Sequence, residues 1–197
     1  MRPIDYERRA AIAAELEQRF PSNAGLLLDA LDANPSAAMP YHGTPHLLVV
    51  ALAVLELAAG EHLTADTTDL VLLAALFHDY DHAGATDDRV NIARAVAAVR
   101  AHCAFHDVDR IAELVEATRF PHDGPSDDPL VAVVRDADIA WSSLLVPDAQ
   151  RFRNGLAEER GVPAAELDAI AFVISHGLNT ATAARAINRH FRHPNCT

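Results

Sequence analysis

Cysteine is nearly missing from this sequence of 197 residues, with Cys103 and Cys196 as the whole supply. That excludes a disulfide framework and fits a reducing cytoplasm. Cationic residues are scarce as well. Sixteen Lys and Arg stand against 28 Asp and Glu, for a formal net charge of −12. This argues against nucleic acid as a primary partner, because phosphate backbones need clustered Lys and Arg. A small phosphorylated substrate stays open, since a bound metal can supply a local positive field. Long apolar runs are lacking too. The longest, Leu47 to Leu55, has nine residues, about half of the ~20 that a bilayer span requires. The stretch Met1 to Arg9 has no apolar segment of the kind a secretory signal carries. The expectation is a cytoplasmic protein with no membrane partner.

Aromatics make up only 6% of the residues, and no strand-like alternation of useful length, internal repeat or low-complexity linker is present. What is abundant is Ala and Leu, with half of all residues hydrophobic. The length suffices for one domain with its own core. An all-α, single-domain helical bundle over 1–197 is expected.

Helical spacing covers Asp5 to Phe20, with Ile12, Leu16 and Phe20 on one face and Pro21 as the stop. A short helix follows at about Ala24 to Leu31. Thr44-Pro45 reads as an N-cap followed by a first-turn proline, opening a helix that ends near Gly60. With Glu56 as its only charge, this helix belongs at the centre of the bundle. Further helices are expected at about 67–79, 89–104 (capped by Asp88), 108–119 (capped by Asp107), from Asp128-Pro129 past Trp141, at 163–176 and at 181–191.

The chemistry concentrates in Phe77-His78-Asp79-Tyr80-Asp81-His82, directly after the apolar run Leu70 to Leu76. A buried helix that delivers imidazole and carboxylate groups inward needs them paired or bound to metal. Two other stretches supply suitable groups. Tyr41-His42-Gly43-Thr44-Pro45-His46 places His46 in the first turn of the central helix. In Arg135-Asp136-Ala137-Asp138, helical spacing sets Asp138 on the apolar face of Leu130, Val134, Ala137 and Trp141, with Asp136 pointing away from that face. An acid among core residues calls for a cation, which makes Asp138 the ligand candidate.

The order His, His-Asp, Asp resembles the HD superfamily of metal-dependent phosphohydrolases over about 41–141. More narrowly, Tyr41-His42 with His46, and His78-Asp79-Tyr80-Asp81-His82-Ala83-Gly84, are similar to the catalytic core of cyclic nucleotide phosphodiesterases. The resemblance implies that His46, His78, Asp79 and Asp138 ligate a metal, that Asp79 also reaches a second one, and that His42 donates a proton to the leaving oxygen. It implies hydrolysis of a small phosphoester, a nucleotide or cyclic nucleotide, by metal-activated water. The chain differs from that pattern at Gly43, where the family has Asn, and at Ala83, where Pro is usual. Asn91 is a displaced counterpart of a further Asn, and no glutamine with an aromatic clamp for a purine is evident.

Such ligands suit Zn, Mn or Fe at the tighter site and Mg or Mn at a more carboxylate-rich one, so one or two divalent ions are expected. His122 and His82 are candidates for a second site, with His102 and His106 as weaker ones, and Asp81 and His82 could equally cap the helix or orient ligands. Arg119 and Arg135 could meet a phosphate or make surface ion pairs. Cys103 reads as a small core residue. Two alternatives remain. Six ligands around two irons would make an oxygenase, and a binding module would hold nucleotide or metal without turnover. The Ala-rich helices leave a homodimer possible.

Overall fold

The computed structural model describes residues 2–84, 87–122 and 124–192, apart from the side chains of residues 142 and 143. All its regular structure is helical. The helices are α1 (Pro3–Arg19), α2 (Ala24–Asp32), α3 (Thr44–Gly60), α4 (Ala65–Phe77), α5 (Asp88–His102), α6 (Val108–Glu116), α7 (Pro129–Asp136), α8 (Ala149–Arg160), α9 (Ala169–His176) and α10 (Ala181–Arg192). A π-helical segment, Ala137–Leu145, continues α7, and a single 3₁₀ turn, Ala164–Glu166, precedes α9. Among the described residues, no helix is long and apolar enough to cross a membrane. Cys196 lies outside the described residues.

The most apolar helices are the innermost. In α3, Leu47, Val50, Ala51, Val54 and Leu57 are sealed from solvent, and in α4 every residue from Val71 to Phe77 is. These two helices pack on each other and carry α6, α7 and the π segment around them. One contiguous core runs from Ile12 in α1 to Ile187 in α10. Burying a Leu or Phe side chain is worth about 1.5–3 kcal/mol, so this centre holds α3 and α4 as a rigid base for whatever their ends present.

Several helix ends differ from the sequence expectation, each for a local reason. Gly43, not Thr44, is the N-cap of α3. Thr44 is already helical and turns its hydroxyl toward the Leu31 carbonyl oxygen at 3.5 Å. Likewise Asp87 caps α5, its carboxylate accepting from the Arg89 amide. Asp88 instead accepts from the Phe120 amide at 2.7 Å, pinning the loop after α6. Helix α4 stops at Phe77, so His78 and Asp79 lie in the turn beyond it. The stretch 163–176 is a 3₁₀ turn and a separate helix, because Asp168 caps α9 by accepting from the amides of Ile170 and Ala171. Asp107 and Asp128 cap α6 and α7 as expected.

Asp136 turns away from the α7 core face, as the spacing requires, yet it does not reach solvent. It is completely buried. Its carboxylate accepts from the amides of Asn179 and Thr180, from Asn179 Nδ2 and from Thr180 Oγ1, at 2.7–3.0 Å. One acid thereby supplies the acceptors for the start of α10.

Candidate metal centre and cavity

Four potential ligand atoms from three parts of the chain meet at one point: one from each of His46, His78, Asp79 and Asp138, all within 4.8 Å of one another. His46 comes from the first turn of α3 and His78 and Asp79 from the turn after α4. Asp138 comes from the π segment, which begins at Ala137, just before it. Wider π turns recur where a helix must re-aim a side chain at a functional site.

The geometry is close. His46 Nε2 lies 3.1 Å from Asp138 Oδ1, 3.3 Å from Asp79 Oδ2 and 3.2 Å from His78 Nε2. His78 Nε2 lies 3.1 Å from Asp79 Oδ2 and 3.5 Å from Asp138 Oδ1. Ligand atoms about 2.0–2.2 Å from a common ion stand about 3.0–3.5 Å apart, which is the spacing found. The tautomer also suits ligation. His78 Nδ1 donates to the Ala75 carbonyl oxygen at 2.8 Å, which leaves Nε2 to face the cluster. The donor set therefore fits a divalent ion.

The electrostatics describe a place made for positive charge. Burial opposes charging of His46 and His78, but the carboxylates of Asp138 and Asp79 outweigh it and raise both imidazoles, His78 strongly. Burial likewise opposes ionisation of Asp79 and Asp138, and the facing histidines overcome it and hold both carboxylates low. Two acids 14% and 24% exposed thus face two sealed imidazoles, a set of donors that a divalent cation could share.

Next to this cluster lies a second arrangement. Glu159, in α8, accepts from His42 Nδ1 at 2.5 Å, and its other oxygen accepts from the amides of Tyr41 and His42 at 2.5 and 3.0 Å. His42 stacks on His82, ring centroids 3.8 Å apart and planes within 12°. His82 Nδ1 accepts from the Gly84 amide, and burial together with the His42 charge pushes its pKa down to about 4. The donor atoms of His42, His82 and Glu159 also fall within 4.8 Å. Parallel rings, however, send their in-plane lone pairs side by side and not to one point. In this group the Glu159 carboxylate takes the His42 Nδ1–H.

Both arrangements open into one cavity of about 890 Å³, lined by His42, Asp79, His82, Asp138 and Glu159 on one side, and by Phe120, Ile139, Leu156 and Phe172 elsewhere. Of the other sequence candidates, His122 sits on the loop 4 residues from Thr118, whose carbonyl oxygen lies 3.4 Å from its Nε2. His102 packs on Phe77 and Tyr80, and His106 on Phe20 and Phe105. Among the described residues, none of these three joins either ligand group. Asp81 takes a left-handed conformation, and Arg94 donates to its carbonyl oxygen, so it serves the turn. Arg135 donates to the carbonyl oxygens of Ala117 and Gly124 and braces that loop. Cys103 is buried, which pushes its thiol up to about 12.

Sequence reasoning missed Glu159. It lies in the run Glu158-Glu159-Arg160, which reads as a solvated face. The available signal was Gly155, one turn earlier, because a glycine inside a helix often marks a close backbone approach. A Cβ there would collide with the Pro40 carbonyl group, 2.6 Å from its carbon, so α8 rests directly on the loop that carries Tyr41 and His42. No family model matches this chain, and no curated protein sequence matches it either.

Proposed function

We propose that this protein is an HD-type, metal-dependent phosphohydrolase that cleaves a small phosphoester, with a nucleotide or cyclic nucleotide as the favoured class. The carrying observation is the convergence of His46, His78, Asp79 and Asp138 at the wall of a cavity that also contains the His42–Glu159 pair. His46, His78, Asp79 and Asp138 would hold the ion. When bound, a divalent ion there supplies Lewis-acid polarisation of phosphoryl oxygens and a water acidified toward neutral pH.

The chain's own residues do the rest. Glu159 fixes the His42 ring by its Nδ1–H, so a second proton on the imidazole resides at Nε2, the atom free to give it to a departing oxygen. His82, held neutral, covers one face of His42 without adding a like charge. The apolar side of the cavity limits water around the reacting group, which strengthens these interactions. The positions of His102, His106 and His122 outside the cluster support hydrolysis over a six-ligand oxygenase.

The test is metal analysis of protein purified without added metal, beside a phosphatase and phosphodiesterase panel with Mn²⁺ or Mg²⁺. Turnover lost in Asp79→Asn supports the proposal. Two tightly held irons without hydrolysis would move the assignment to an oxygenase, and no metal with no turnover would overturn both.

A further inference from the structure

The α8 wall of the cavity carries two arginines beside Glu159. Arg153 and Arg160 line it from α8, and Leu156 lies between them. Positions 153, 156 and 160 follow the i, i+3, i+7 spacing of a single helix face, so the two guanidinium groups start about 10 Å apart along the axis and can converge over Leu156. Among the described residues neither makes an ion pair. Arg153 reaches Gln150 Oε1 at 2.7 Å with its terminal nitrogen, but its Nε is shut off from solvent and finds no acceptor. Arg153 is half-buried and Arg160 exposed, so what an anion entering the cavity can meet is their terminal nitrogens, to which no acid is paired among the described residues.

Nearby acids do not fill that place. Glu159 is committed to His42 and the Tyr41 amide, Asp88 to the Phe120 amide, and Asp168 to the start of α9. Glu166 is exposed. The cavity lining also includes an apolar part, Ile139, Leu156, Phe120 and Phe172, with the two phenyl rings 5.5 Å apart.

We propose that Arg153 and Arg160 form a second anion-binding group, so that among small phosphoesters this cavity favours one that carries a further anionic group, carboxylate or phosphate, besides the phosphoryl group at the His–Asp cluster. The proposal rests on the hydrolase reading only for the placement of the phosphoryl end. Arginine suits the role because its planar fork matches a carboxylate or phosphate in two parallel hydrogen bonds.

The test is calorimetric binding of two non-hydrolysable probes, phenylphosphonate and 4-carboxyphenylphosphonate, to the Mn²⁺-loaded protein. The carboxylated probe should bind about tenfold more tightly, as one charge-assisted contact allows. In the double variant Arg153→Gln/Arg160→Gln that ratio should fall to about one, while the double Lys variant should keep part of it. Equal affinity of the probes for the unaltered protein, a ratio that survives the Gln substitutions, or no binding of the carboxylated probe would overturn the proposal. Because binding is read without turnover, a tight and arginine-dependent carboxylated probe on a protein that hydrolyses nothing would leave this inference standing and remove the hydrolase.

Discussion

Glu159 holds His42 twice, by the ring at Nδ1 and by the backbone amide, across 117 residues of chain. A side chain bound by both ring and backbone has little freedom to turn, which is what a proton donor at a fixed leaving group needs. His42→Gln should therefore lower kcat by about 10²–10⁴-fold, the usual span for a positioned acid, with metal content unchanged. Steady-state kinetics beside elemental analysis checks this. Loss of metal in that variant would make His42 a ligand instead.

The same pair predicts a pH signature. Burial opposes ionisation of Glu159, but the hydrogen bond and charge of His42 prevail and lower its pKa from the ordinary 4.5. A lowered folded-state pKa stabilises the protein above the unfolded value and loses that contribution as the pH falls through the folded one. The stability gap between the unaltered chain and Glu159→Gln should be widest above pH 4.5 and should close on further acidification. Urea unfolding across that range is the measurement, and a constant gap would refute the linkage.

Gly155 decides whether α8 can bring Glu159 within reach. Its missing Cβ is the space occupied by the Pro40 carbonyl group. Gly155→Ala should push α8 off the His42 loop, costing about 1–3 kcal/mol as overpacking does, despite the better helix propensity of Ala. Denaturant unfolding reads the loss. A stabilised variant would show that the contact is loose.

Asp136 accepts from two backbone amides, an amide side chain and a hydroxyl, all at the start of α10. Asp136→Ala would strand several donors, each costing about 1–3 kcal/mol when buried without a partner. A loss of about 3 kcal/mol or more is expected, with Asp136→Asn milder because it keeps one acceptor oxygen. Unfolding midpoints of the two variants give the comparison.

Metal binding should stabilise the fold by mass action. At a hundredfold excess over Kd, one site adds about 2.7 kcal/mol, or about 5–10 °C in Tm for a chain of this size. Asp138→Asn should shrink that shift and also lower the metal-free Tm, because the carboxylate it removes is paired with His46 and His78. Calorimetry with and without Mn²⁺ settles it.

The all-helical architecture was legible because α3 and α4 are apolar on nearly every face, a pattern that only a central helix satisfies. The His46, His78, Asp79 and Asp138 set was legible for a related reason. Imidazoles and carboxylates at the ends of such helices must find polar partners, and the structure brings these four together as a group that could hold a metal ion. Those properties are local, written in residue type and spacing. The tertiary structure decided the rest. Glu159 looks like one more surface acid until α8 lies on Pro40, and Asp136 looks solvated until Asn179 and Thr180 arrive at its carboxylate. Arg153 and Arg160 look like ordinary helix-surface cations until α8 becomes a cavity wall. Each depends on contacts between segments dozens of residues apart, and a helix period reports which face a residue occupies but not what that face meets.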